Sequence, residues 1–390
     1  MKDPLSLLLA LLLCACSEPP QSSTPDLGLD TGGRDLALPD TGVHDTKAPL
    51  RTGVVLRGLG FDWQKTPHRL NKLGAMVQGK PQGQAIELEL SSLMEGGSWS
   101  TGQAASDKVE YEVGYTAVRT RAARFVEGTF APIQVMGDAK AKPEVVAQAS
   151  QKQQLSLTAV GLAGAKQVVL VLRGFTIDTD LTHEDGYTNR GFTVRLQNTE
   201  RQGDQLLTTL LVRVHAGPVV DRDQNLESYG ATVTVGYTLI ALDSGQVATK
   251  TVGYELDLPG GVEPKQPPAD ATKALQSFGG LSSISTALVA LSGFEIYLNR
   301  GDTLFPGRYL RAVRVMNEKL SLDPGKGEAS LWTDGYYSNA GLVTNPTKLE
   351  FTADLALIGL DDPDARVEDG SATGTAGVGL VTDTTTVTFE

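Results

Sequence analysis

The sequence predicts an all-β protein: three tandem antiparallel β-sandwich units behind a signal peptide and a disordered tether. Three observations predict it. The stretch Lys108–Ala117, KVEYEVGYTA, alternates apolar and polar residues, the period of a strand with one face buried. That stretch returns at 231–239 (ATVTVGYTL) and 349–357 (LEFTADLAL); the first two copies share Val-Gly-Tyr-Thr, and the third has Asp354 where they have glycine. Beyond residue 51 no segment carries a long 3.6-residue apolar stripe, while short strand-like runs alternate with turn signals.

Taken in order, residues 1–15 read as a signal peptide. Leu5–Leu13 is an apolar run too short to span a bilayer as a helix. Leu13-Cys14-Ala15-Cys16 then resembles a bacterial lipobox, which implies cleavage before Cys16 and lipidation of its thiol. Ser17 follows, where aspartate would resemble an inner-membrane retention signal; the resemblance therefore implies an outer-membrane lipoprotein, facing the periplasm or the cell surface. Past Cys16 there is no cysteine, so no internal disulfide and no thiolate metal site are expected. Residues 16–50 are rich in Pro, Asp, Thr, Gly and Ser, without aromatics, and are expected to form a disordered acidic tether. Its recurring aspartates lack the Asp-x-Asp-x-Asp-Gly spacing of a calcium loop.

Three units follow: residues 51–140, 155–262 and 276–390. Each opens with an apolar strand ending in Gly-Phe, at Gly60, Gly174 and Gly293. A second strand bearing an arginine comes next (69–77, 190–198, 308–316), then a turn, a third strand (85–90, 206–214, 328–332), and the alternating strand that closes the set. Trailing strands at 251–258 and 384–389 complete it. The polar stretches Met136–Gln154 and Pro259–Ser277 read as linkers, with a short helix at Asp270–Ser277. A period above 100 residues suits tandem domains rather than a solenoid.

The order within a unit resembles the H-type lectin domain, a β-sandwich. Unit three carries most of the likeness: Ala290-Leu-Ser-Gly-Phe-Glu-Ile296, the strand at 309–316, Trp332-Thr333-Asp334, and the closing strand. Unit two keeps Leu172-Arg-Gly-Phe-Thr-Ile177 but has no Trp-x-Asp. The resemblance implies sugar binding of the N-acetylgalactosamine type between subunits of a trimer, which three linked copies would mimic.

The net charge of −12 argues against nucleic acid as partner. Membrane contact is expected only through the N-terminal lipid. The four histidines, His44, His68, His183 and His215, show no zinc-site spacing, and no nucleophile elbow or phosphate loop occurs. No cofactor, metal or catalytic residue is assigned. The acidic loops 221–225 and 361–364 read as solvated turns, and Glu110 and Glu112 as solvent-facing charges. Trp63, Trp99 and Trp332 are the only tryptophans. Trp332 is expected at a strand end, with Asp334, Tyr336 and Tyr337 in the following loop. An aromatic ring to stack on and a carboxylate for hydroxyls are the ingredients of a sugar site; a core tryptophan under a tyrosine-rich turn is the other reading of the same residues. The function expected is that of an envelope binding protein with glycans as ligands. The alternatives are a structural envelope component binding other proteins and, with no catalytic constellation behind it, a β-sandwich hydrolase.

Overall fold

The computed structural model describes residues 48–62, 68–98, 109–137, 145–179, 187–218, 229–258, 260–261, 272–279, 284–300, 308–323, 326–339, 347–376 and 379–389. Residues 1–47, with Cys16 and nearly all of the tether, lie outside them. So do Trp63, Trp99, His183 and the 221–225 loop.

The described chain is all-β and antiparallel apart from one two-residue pairing. The first repeat supplies β1 (Arg51–Asp62), β2 (His68–Gln82), β3 (Ala85–Ser98), β4 (Val109–Thr120) and β5 (Ala123–Thr129). β6 (Ile133–Gly137) and β7 (Val145–Ser156) follow. The second supplies β8 (Gln167–Thr179), β9 (Tyr187–Gln202), β10 (Gln205–Pro218), β11 (Tyr229–Leu242) and β12 (Gly245–Leu258), then β13 (Gly260–Gly261) and β14 (Thr272–Gly279). The third supplies β15 (Thr286–Arg300), β16 (Arg308–Asp323), β17 (Lys326–Asn339), β18 (Thr347–Leu360) and β19 (Arg366–Ala376), and β20 (Gly379–Thr388) closes the chain.

The repeats do not close on themselves. Sheet I runs β19-β4-β1-β16-β17-β14. Sheet II runs β5-β11-β8-β2-β3-β20 and sheet III β12-β18-β15-β9-β10-β7, the two joined through β6, which pairs with β11 and touches β7 at Met136 and Gln148. In every sheet the opening strand of one repeat pairs with the second strand of the preceding repeat, counted cyclically, so the opening–anchor pair of one lies beside the second–third pair of the other. β1 pairs with β16, β8 with β2, and β15 with β9. The trailing strand of that preceding repeat lies on the anchor strand: β19 on β4, β5 on β11, β12 on β18. The same pairing pattern occurs three times, linking the repeats cyclically.

Of the two stretches expected to be linkers, Met136–Gln154 and Pro259–Ser277, the described parts are strands, among them β7 and β14. β7 borders β10 and β14 borders β17, as β20 borders β3. Residues 272–277 of the expected helix at Asp270–Ser277 form part of β14 instead; Asp270 and Ala271 lie outside the described residues. As outer strands β7 and β14 need little apolar surface: in β7, Ala147 is buried while Gln148, Ser150 and Gln151 are exposed. Their composition therefore looks like that of a linker.

Register aligns the repeats more finely than motif matching does. Gly58 pairs with Gly114, Gly174 with Gly236, and Gly293 with Asp354. Those partners are one position of the anchor strand, so Gly58, not Gly60, is the counterpart of Gly174 and Gly293. One residue earlier each opening strand bulges, at Arg57, Arg173 and Ser292. The extra residue shifts the alternation, so residues on both sides of it reach one core. Leu56 and Leu59, Leu172 and Phe175, and Leu291 and Phe294 are all buried in the same apolar cluster. Phe175, Phe192 and Phe294 meet within it at ring separations of 5.4–5.9 Å.

A second cluster takes Val55, Val171 and Ala290 with Val118, Ile240 and Ile358, again from all three repeats. The turns after β4, β11 and β18 interlock. Asp243 N donates to Ala122 O at 2.8 Å, Ser244 Oγ to Asp361 O at 3.2 Å, and Arg121 N to Asp362 Oδ2 at 2.6 Å. These bonds form a ring that ties all three repeats together. Asp362 is 6 % exposed and also accepts from Thr120 Oγ1 and Asp364 N. Burial works against its charge, but these donors prevail and hold its pKa below the usual carboxylate range. The 361–364 loop is therefore a structural knot as well as a solvated turn.

Candidate functional site

Sheet I carries a cleft of about 460 Å³ across β16, β1, β4 and β19, lined by Gly60, Asp62, Glu110, Glu112, Arg314 and Thr375, among others. Glycine makes it possible. A Cβ at Gly60 would lie 3.2 Å from Arg314 Cγ, so the bare backbone lets the arginine stem cross β1. The guanidinium then reaches Glu112 on β4, with Nη2 donating to Oε1 at 3.0 Å and Nε donating to Oε2. Glu112 is thus half-buried and paired, not merely facing solvent, whereas Glu110 is exposed as expected. Tyr111 is buried and donates its hydroxyl to Asp383 on β20. Burial, then the bond to Asp383 and the charge of that carboxylate, push Tyr111 up to about 12. This phenol therefore stays protonated and structural at neutral pH.

The sequence-predicted residues all fall on β17, and none is in a following loop. Trp332 registers with Met316, Asp334 with Arg314, Tyr336 with Ala312 and Tyr337 with Leu310. Asp334 accordingly stands in one cross-strand row with Arg314, Gly60, Glu112 and Thr373. Tyr336 shares the next row with Ala312, Asp62, Glu110 and Thr375. The backbone thus brings three of the four predicted positions, 332, 334 and 336, to rows that enter or border the cleft. Tyr337 falls beyond them, in a row with Leu310 that leads to Gly260 on β13. The side chains of all four lie outside the described part. Motif reading missed Arg314, because its partner is 202 positions away in the chain.

Sheets I and II hold equivalent polar nodes at the opening-strand bulge. In sheet II, Arg173 Nη1 meets Glu127 Oε2 at 3.3 Å, Arg173 Nη2 donates to Thr129 Oγ1 at 3.0 Å, and Gly79 N donates to Glu127 at 3.0 Å. Burial pushes the Glu127 carboxyl up against the pull of Gly79 N–H and Arg173. Sheet I repeats the pattern loosely: Arg57 lies 3.9 Å from Asp369 and donates to Gly370 O at 3.3 Å. In both sheets a methionine lies against the anchor-strand glycine, Met76 at Gly236 and Met316 at Gly114. Sheet III differs. There Arg195 takes the methionine position and Asp354 the glycine position, bonded through Nε at 2.7 Å and Nη2 at 2.8 Å. Arg195 also faces Glu295 at 3.6 Å. The bond to Asp354 and the two carboxylate charges outweigh burial and raise the Arg195 pKa further.

His215 is 9 % exposed and packs against Tyr297 with ring centroids 4.7 Å apart. Burial, then the Arg213 charge, lower it to about 4, so it is neutral at pH 7.

No protein-family model matches the chain, and neither does any curated protein or solved structure. Among the described residues no group of three or more His, Cys, Asp or Glu is placed to hold a metal ion.

Proposed function

We propose that the chain is an outer-membrane-anchored envelope lipoprotein, tethered through Cys16, whose body binds carbohydrate on sheet I. One observation carries the reading: Trp332, Asp334 and Tyr336 share or adjoin the cross-strand rows of the Arg314–Glu112 cleft. Carboxylates and threonine hydroxyls exchange hydrogen bonds with sugar hydroxyls, and a neighbouring aromatic ring offers a stacking surface. Asp62, Glu110 and Glu112 outnumber Arg314, so the cleft favours neutral or N-acetylated sugars over acidic ones.

The test is a glycan array followed by titration calorimetry on the whole mature chain. Binding of neutral or N-acetylated glycans that Trp332→Ala and Arg314→Ala each weaken about tenfold or more supports the reading. Co-purification with envelope proteins and no glycan binding supports a structural, protein-binding role instead.

A further inference from the structure

Sheet III loses the opening-strand node of sheets I and II through three substitutions. The bulge residue Arg57 or Arg173 becomes Ser292; the trailing-strand acid Asp369 or Glu127 becomes Thr249; the anchor-strand Thr116 or Thr238 becomes Ala356. A long cation and its carboxylate give way to two short hydroxyl side chains. The space that Arg173 and Glu127 fill in sheet II is here a cleft of about 510 Å³, within the range of small-ligand sites.

Alternation along the strands fixes which side chains share the face of this cleft. Asp354 on β18 is bonded there by Arg195 on β9 and by Thr251 Oγ1 on β12. Thr249 and Val247 follow Thr251 at every second residue of β12, and Gln197 lies two residues from Arg195, so all three fall on the same face. Lys250 alternates to the opposite face, where its ammonium donates to Ser277 O at 3.3 Å. The charges that remain cancel. Arg195 meets Asp354 at 2.7 Å and Glu295 at 3.6 Å, and Glu295 meets Arg213 at 3.2 Å, so two cations face two anions. A carboxylate or an ammonium ligand would find no unpaired counter-charge and would meet a like charge close by.

What the face offers instead is neutral hydrogen bonding. Thr249 and Thr251 hydroxyls and Gln197 and Asn198 amides both donate and accept, as sugar hydroxyls do. A carboxylate accepts about four hydrogen bonds, and Asp354 receives those from Arg195 Nε, Arg195 Nη2 and Thr251 Oγ1, so an acceptor site remains for a ligand hydroxyl. Val169 and Val247 give the apolar surface that the C–H face of a ring needs. We infer that this cleft binds an uncharged sugar ring. The site is separate from the sheet I cleft and stands whether or not that cleft binds glycans.

The experiment is an amide-resolved NMR titration of the whole mature chain with glucose, galactose and mannose, each compared with its uronic acid and its amino sugar. At least one neutral hexose should give saturable shifts at Thr249, Thr251, Gln197 and Asn198, at least about tenfold more tightly than either charged counterpart. Trp332→Ala should leave these shifts unchanged, which separates the site from sheet I. The double substitution Ser292→Arg with Thr249→Glu restores the pair that fills sheet II and should abolish them. Thr249→Val removes one hydroxyl at an exposed position and keeps the side chain's shape. It should weaken binding about fivefold, the worth of one neutral hydrogen bond, and carries the test alone if the refilled protein does not fold. No saturable shift at these residues with any neutral hexose at about 10 mM, equal affinity for a charged counterpart, or wild-type affinity in Thr249→Val would each overturn the inference.

Discussion

Replacing Arg195 by methionine gives it the residue found at the same position in the other two sheets. In isolation the change should be costly. Asp354 would lose two hydrogen bonds, of 2.7 and 2.8 Å, while only 14 % exposed, retaining Thr251 Oγ1 at 2.6 Å as donor. Breaking a fully buried pair costs about 3–5 kcal/mol, and a hydrogen bond to a charged group is worth about 1.5–3 kcal/mol. Because the cleft admits water to Asp354, the expected loss lies between, about 2–3 kcal/mol. Asp354→Gly alone leaves Arg195 with Glu295 and should cost about 1–2 kcal/mol. Together the two substitutions recreate the methionine-against-glycine packing of Met76 at Gly236, so the double variant should lose under about 1 kcal/mol. The coupling is then about 2 kcal/mol or more. Urea unfolding of the four proteins, followed by circular dichroism at a shared slope, measures it. Losses that add across the two sites would refute the equivalence of the nodes.

Other outcomes follow from the same geometry. Phe294→Ala removes one ring of the Phe175–Phe192–Phe294 cluster and should cost about 3–5 kcal/mol in the same assay. Gly174→Ala puts a Cβ 2.2 Å from Ala75 O on the neighbouring strand and should prevent accumulation of folded protein, seen as loss of the soluble fraction. Asp362→Ala strands the Thr120 hydroxyl and the Arg121 amide in the ring of turns, for a loss of about 2–4 kcal/mol by urea titration. His215 binds its proton more weakly folded, near 4, than unfolded, near 6.5. Its contribution is therefore complete above about pH 6.5 and is lost as pH falls toward 4, to a total of about 3 kcal/mol. Stability measured at pH 7 and pH 4.5 should show that slope in the wild type and a shallower one in His215→Gln.

Strand alternation was legible from residue to residue, and with it the all-β class and the three-fold recurrence of the anchor strand. Partnership was not. Alternation says which face of β1 is buried, but nothing in it says that β16, over 240 residues later, is the neighbour. The match at Gly60-Phe61 misled because Gly58, the equivalent glycine, is followed by Leu59 rather than phenylalanine, and a Gly-Phe pair recurs two residues on. The glutamine-rich β7 and the polar composition of β14 hid their strand character in the sequence. Asp354 in place of glycine was visible in the third anchor strand. Its significance needed Arg195, whose equivalence to Met76 and Met316 exists only in the cross-repeat register.

Oxidative cross-linking of Lys72→Cys with Asp178→Cys tests the interleaving most directly. The two positions are register partners on β2 and β8, strands of different repeats, and their side chains already meet at 3.4 Å. Directly paired strand residues have Cα atoms about 4.5–5.5 Å apart, within disulfide reach. The sequence after Cys16 has no other cysteine to compete. A rapid intramolecular disulfide should form in the monomer, identified by mass spectrometry of the linked peptides. Thiols that stay free in folded, monomeric protein would contradict it.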